Sequence, residues 1–219
     1  FWKIFGDFNK MIANNYDFFE NESKKYEGIL LDFYKNPNAQ PFVDENFHPC
    51  KKITENKLKF DLNDQSITWK RIDEVYPAPL FKEDLIHPYF INQGCIGDCY
   101  FITGISRVAK QPYLVPTLFE KRKPDLILGE VEDSINLKCG AVIVYFFAFG
   151  RKTPVLIDTT IPIKNGHCVF CRPSNIDKSA WFCLVEKAYA KLNGSYSNIE
   201  GGFISYPIYS LFGYFQKYI

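Results

Sequence analysis

Residues 92–101 read NQGCIGDCYF. Two cysteines, Cys95 and Cys99, stand four positions apart among glycines; Gln93 lies six positions before the second and Asp98 immediately before it. Downstream, Phe101, Ile102, Ile105, Val108 and Ala109 recur on one helical face, which predicts a helix over 99–110. Gly94 and Gly97 permit a tight approach to that helix, and Asp98 suits a turn or cap. A thiol at position 99 would then sit at the positive end of the helix dipole, which favours the attacking thiolate form. Gln93 could turn its amide toward the same spot and, with the Cys99 backbone N–H, donate to a developing oxyanion. The stretch alone leaves three readings of Cys99: a nucleophile, half of a metal site, or a buried structural thiol.

The surrounding chain predicts an α+β domain. Residues 1–36 read as helix, with Phe1, Ile4, Phe5, Phe8, Met11 and Ile12 as one apolar set and Tyr26, Ile29, Leu30, Phe33 and Tyr34 as a second. That helix either packs on the core or docks on a partner. NPNAQP (36–41) breaks it, and 42–91 reads mostly as loop with short elements. AVIVYFFAFG (141–150) and TPVLIDTTIPI (153–163) read as strands, with Asp158 as a loop or cap residue. Asn165-Gly166 signals a hairpin whose second strand is HCVFC (167–171). DKSAWFCLVEKAYAKLNG (177–194) reads as a helix with Asp177 as N-cap, Trp181, Leu184, Val185, Ala188 and Leu192 as its stripe, and Gly194 as its stop.

Composition narrows the function classes. The chain has 219 residues, 47 % of them hydrophobic, enough for a full core. Its 26 basic and 25 acidic residues give a net charge of +1, which argues against a nucleic-acid binder. No run reaches the length of a membrane span. The seven cysteines are scattered and odd in number, which fits a reducing, cytoplasmic compartment. Cys168 and Cys171 form Cys-x-x-Cys beside His167, but no second ligand pair matches zinc spacing, and a strand would put the two thiols on opposite faces. The chain opens on Phe1 rather than Met, which suggests a piece of a longer polypeptide.

QGCIGDCYF resembles the active-site motif of the calpain family of cysteine proteases, Gln-Gly-x-x-Gly-Asp-Cys-Trp. Three further stretches match that family in order. ITWKRIDEV (67–75) resembles its Trp-Lys-Arg stretch, VLIDTTIPI (155–163) its Val-Asp-Asp-x-Leu-Pro strand, and WFCLVEKAYAKLNGSYSNIEGG (181–202) its Glu-Lys-Ala-Tyr-Ala-Lys helix and Gly-Gly loop. The resemblance covers roughly 42–219 and leaves 1–41 as an N-terminal helical extension. It implies a papain-like fold in which this chain is the mostly helical first lobe, with a small antiparallel sheet or hairpin. It also implies Cys99 as nucleophile and Gln93 as oxyanion donor. The catalytic His and Asn would come from a second lobe, since His48, His87 and His167 do not match the family's histidine. Tyr100 stands where the family has Trp. The family's first-lobe calcium ligands fall at Phe90 and Ser179, so the resemblance implies no cofactor in this lobe. The partners implied are the second lobe and a protein substrate. An alternative of another class is an inactive calpain-like module docked in a cytoskeletal or ciliary assembly.

Overall fold

A computed structural model describes residues 2–47, 66–119, 137–175 and 178–213, with the backbone alone over 2–15. The first apolar set of the N-terminal helix, together with His48, Cys50 and Asp177, lies outside the described side chains.

The long helix expected at the start is one element, α1 (Trp2–Lys35). Its second apolar set packs inward. Tyr26, Ile29, Leu30 and Phe33 lie against Ala141, Ile143, Tyr145 and Leu156 of an antiparallel hairpin, β3 (Ala141–Ala148) and β4 (Arg151–Asp158). The other face of β3 carries Val142, Val144 and Phe146 into the main core. Both faces are therefore covered, which is why β3 reads as an unbroken apolar run rather than an alternating one. Its turn places Phe149 and Gly150 at φ 52° and 78°, the primed geometry that suits a two-residue hairpin. The Phe149 ring stacks on Phe19 of α1 at 6.2 Å.

The single strand expected over 153–163 is two. The chain leaves the hairpin at Thr159, whose N–H donates to Gly140 O and whose carbonyl accepts from Ile72 N. It then enters a second sheet as β5 (Thr160–Lys164), between β1 (Thr68–Arg71) and β6 (His167–Cys168), all antiparallel. Asn165 and Gly166 form the expected turn at φ 53° and 79°. The partner strand is shorter than expected: β6 ends at Cys168, and the chain turns through 169–171. The opposite-faces argument against zinc therefore fails, because Cys168 and Cys171 are both buried beside Cys183. Among the described residues no group of three metal-binding side chains is assembled.

Helix α4 (Trp181–Leu192) starts at Trp181, with Ala180 rather than Asp177 at its N-cap. It ends as expected, with Gly194 at φ 93°. It is buried from Trp181 to Lys191, so the predicted stripe is only part of what it covers. Two buried lysines hold polar partners along it. Lys187 Nζ meets Asp158 Oδ1 at 2.7 Å and Thr160 O at 2.7 Å. Lys191 Nζ meets Glu22, Asp44 Oδ2 at 2.8 Å and Leu156 O at 2.6 Å. Asp158, expected as a loop residue, is a fully buried hub that also accepts from Asp44 N and Thr160 N. Burial alone would raise its carboxyl, but the Lys187 ammonium and these hydrogen bonds outweigh it and hold it low. Arg71 gathers the carbonyls of Pro41, Phe42 and Gly140, which ties the chain after α1 to the hairpin's start.

Candidate active site

Helix α3 (Cys99–Ala109) begins at Cys99, as its spacing predicts. Its inner face, with Phe101, Ile105, Val108 and Ala109, is buried. Phe101 stacks on Tyr189 of α4 at 4.0 Å, so the helix start is fixed from within the core. Cys99 itself is exposed.

The loop before it is shaped by two close approaches. A methyl on Gly94 would lie 2.1 Å from the Phe170 carbonyl oxygen, so only glycine fits. Cys95 N donates to Val169 O at 3.0 Å beside it. Farther on, Gly97 O accepts from Gly201 N at 2.9 Å, and Gly202 lies against the Tyr100 ring. The Gly-Gly loop is thereby seated beside the start of α3. Tyr100, which stands where the family pattern has Trp, fills that contact as a buried aromatic wall.

Gln93 follows β2 (Ile91–Asn92), which pairs with β7 (Arg172–Pro173). Its Nε2 donates to Ile96 O at 2.7 Å and more loosely to Asp98 Oδ1 at 3.4 Å. One amide hydrogen is firmly used and the other is held at the limit of a hydrogen bond, within the same six-residue loop as the thiol. Asp98 does precede the helix, but its side chain makes no cap hydrogen bond. It points inward, fully buried, toward Glu186 of α4. Burial pushes its carboxyl up to about 6, and burial together with Asp98 pushes Glu186 well above the usual carboxylate range. Sequence reasoning did not single out Glu186. The signal was an acidic residue inside a buried helix; its partner lies far away along the chain.

The described histidines are engaged elsewhere. His87 Nδ1 accepts from Tyr89 N and its ring stacks on Tyr89. His167 is exposed and pairs with Lys164 across the hairpin turn. Phe90 is half-buried, with the Lys178 ammonium 4.6 Å over its ring. Ser179 is buried and donates to Leu80 O at 2.7 Å. Cys95 is free and exposed.

Comparisons with known proteins agree with this geometry. The model of the calpain family cysteine proteases matches residues 42–219. Calpain-5 of Caenorhabditis elegans is 32 % identical over 167 residues, spanning 76 % of this chain and 24 % of that protein. A calpain of Schistosoma mansoni is 33 % identical over 186 residues, spanning 82 % of this chain and 22 % of its own length. The human calpain-1 catalytic subunit is 32 % identical over 166 residues, spanning 74 % of this chain and 21 % of that subunit. The chain thus spans about a quarter or less of the relatives it matches. An exposed thiol at the first turn of a buried helix, a glutamine amide in the loop before it, and a family match over 42–219 together place this chain in the calpain family of cysteine proteases.

Proposed function

We propose that Cys99 is the nucleophile of a peptide-bond-cleaving site and that Gln93 is its oxyanion donor. The reading is carried by the geometry of one loop: the exposed Cys99 begins α3 while Gln93 Nε2 is anchored by Ile96 O at 2.7 Å. In the reaction the Cys99 Sγ forms a bond to the scissile carbonyl carbon. The carbonyl electron pair moves to oxygen, which accepts from the Cys99 N–H and from the Gln93 amide hydrogen that otherwise rests loosely on Asp98 Oδ1 at 3.4 Å and turns from it to the oxyanion. The thiol proton passes to a histidine oriented by an asparagine. On this reading both belong to a second lobe outside this chain, and 42–219 forms the first. A free aldehyde captures such a thiol reversibly, so a peptidyl aldehyde is the test. The wild-type chain should be labelled at Cys99, Cys99→Ala should not, and Gln93→Ala should bind the aldehyde at least tenfold more weakly. Labelling centred on Cys95 instead would overturn the assignment.

The calcium site expected from the family's pattern does not belong to this reading. Calcium takes six to eight oxygen ligands. Phe90 offers a ring already faced by Lys178, and the Ser179 hydroxyl serves the Leu80 carbonyl. The free thiols among the described residues support a reducing, cytoplasmic setting. Among the described residues, no helix is long and apolar enough to cross a membrane. A second reading, an inactive module docked in a cytoskeletal or ciliary assembly, draws on the exposed Phe18, Leu31 and Tyr34 of α1. A partner that protects those three side chains from solvent, with no aldehyde capture at Cys99, would favour it.

A further inference from the structure

Beneath the loop that carries Gln93 and Cys99 lies a contact that the reaction above does not use. Asp98 is fully buried, and among the described residues its Oδ2 is the buried side-chain polar atom without a partner. The group facing the Asp98 carboxyl is the carboxyl of Glu186, which is itself 1 % exposed. Glu186 is fixed from behind, since both of its oxygens accept from Cys171 N, at 3.2 and 3.1 Å. Two ionised carboxylates cannot bond to each other and repel; one shared proton turns the pair into a strong, charge-assisted hydrogen bond. No ion pair among the described residues neutralises either carboxyl. The other titratable groups facing the pair are the Cys168, Cys171 and Cys183 thiols and the Tyr100 and Tyr196 phenols, and burial holds all five in their neutral forms.

We propose that Glu186 is protonated and donates to Asp98 Oδ2, and that it thereby acts as a positioning residue for Gln93. The chain of contacts has a fixed direction. The Glu186 O–H donates to Asp98 Oδ2, and Asp98 Oδ1, kept anionic, accepts from Gln93 Nε2 at 3.4 Å. With Ile96 O accepting the other hydrogen, the amide must present nitrogen, not oxygen, to the loop beside Cys99. Were Asp98 to take up a proton, this polarity would be lost, and the glutamine could turn its carbonyl toward the oxyanion position. The assignment of the proton follows the burial of the two groups. Glu186 is enclosed by neutral thiols and a phenol, whereas Asp98 has the amide beside it.

The oxyanion role of Gln93 is taken from the reading above, and the test separates the two. Infrared difference spectra of the 219-residue chain at neutral pH should contain the carbonyl stretch of one protonated carboxyl, absent in Glu186→Gln and retained in Asp98→Asn. In nitrogen-15 NMR, the Gln93 side-chain amide signals should titrate with a midpoint near pH 6 in the wild type and be flat in Asp98→Asn. Glu186→Gln mimics the protonated acid, so it should leave the Gln93 signals within the wild-type range at pH 7, while Glu186→Ala should move them. A wild type with no protonated-carboxyl band at neutral pH, or a Gln93 amide indifferent to pH between 5 and 7, would overturn the proposal. Both of those measurements use the unmodified chain, so they hold even where a variant does not fold. Aldehyde capture at Cys99 reports on the catalytic reading alone.

Discussion

Replacing Lys191 by Met should cost this fold more than any exposed charge change, and the size follows from what is left behind. The ammonium lies between Glu22 of α1 and Asp44, with side chains 6 % and 1 % exposed, and it also serves the Leu156 carbonyl. Methionine fills much of the same volume but leaves two buried carboxylates facing each other without a cation. Breaking a buried ion pair from one side costs about 3–5 kcal/mol. For a chain of this size each kcal/mol shifts Tm by about 2–4 °C, so the melting point should fall by roughly 6–20 °C. Glu22→Gln should cost much less, about 1–2 kcal/mol, because the ammonium keeps Asp44 and the amide oxygen still accepts from Leu156 N. Burial already raises the Glu22 carboxyl despite Lys191. An acid whose folded pKa is raised destabilises the fold above that pKa, and the penalty fades as pH falls toward the unfolded value. The Lys191→Met deficit should therefore be largest at neutral pH and shrink below it. Thermal unfolding of the wild type, both single variants and the double variant at pH 7 and pH 5 measures all of this. Equal losses for Glu22→Gln and Lys191→Met, or a deficit that grows as pH falls, would refute it.

Asp98 carries a second pH effect: burial lifts its folded pKa to about 6 from the ordinary aspartate value of 3.8, which amounts to about 3 kcal/mol of destabilisation present above pH 6 and gone below pH 4. Denaturant unfolding of Asp98→Asn should show that slope removed between pH 4 and 6. Gly94→Ala should lose several kcal/mol in chemical denaturation, since its methyl would meet a backbone carbonyl at 2.1 Å, and the surviving folded fraction should bind peptidyl aldehyde poorly. Calorimetric titration with calcium should give no tight site in this chain; a micromolar site lost on mutating residues around Phe90 or Ser179 would contradict that outcome.

Local chemistry carried much of the fold into view. The turn at Asn165-Gly166, the α3 start at Cys99 and the Gly194 stop each depend on residues within one turn of chain. What stayed hidden depends on distant partners. The break at Thr159 arises because its backbone bonds both Gly140 and Ile72, and no period in 153–163 records that. Asp158 looked like a loop residue because Lys187 is far along the chain, and Cys168 and Cys171 looked opposed because the turn after β6 follows from tertiary contacts. The candidate site divided the same way. The helix start at Cys99 was legible from the apolar period after it, and the roles proposed for Cys99 and Gln93 rest on the family resemblance, whereas the buried side of Asp98 came into view only with Glu186 opposite it.

The anchoring of α1 bears on how this protein should be handled. The family match begins at residue 42, and a chain trimmed to that boundary would seem a tidy unit for expression. Yet α1 supplies Glu22 to the Lys191 cluster, Phe19 to the main core, and the cover over Ala141, Ile143 and Tyr145. Trimming would bare one face of a strand apolar on both sides, a surface prone to pairing with other chains. The first helix is a staple of the core, and a recombinant fragment lacking it should be recovered as aggregate rather than as a smaller domain.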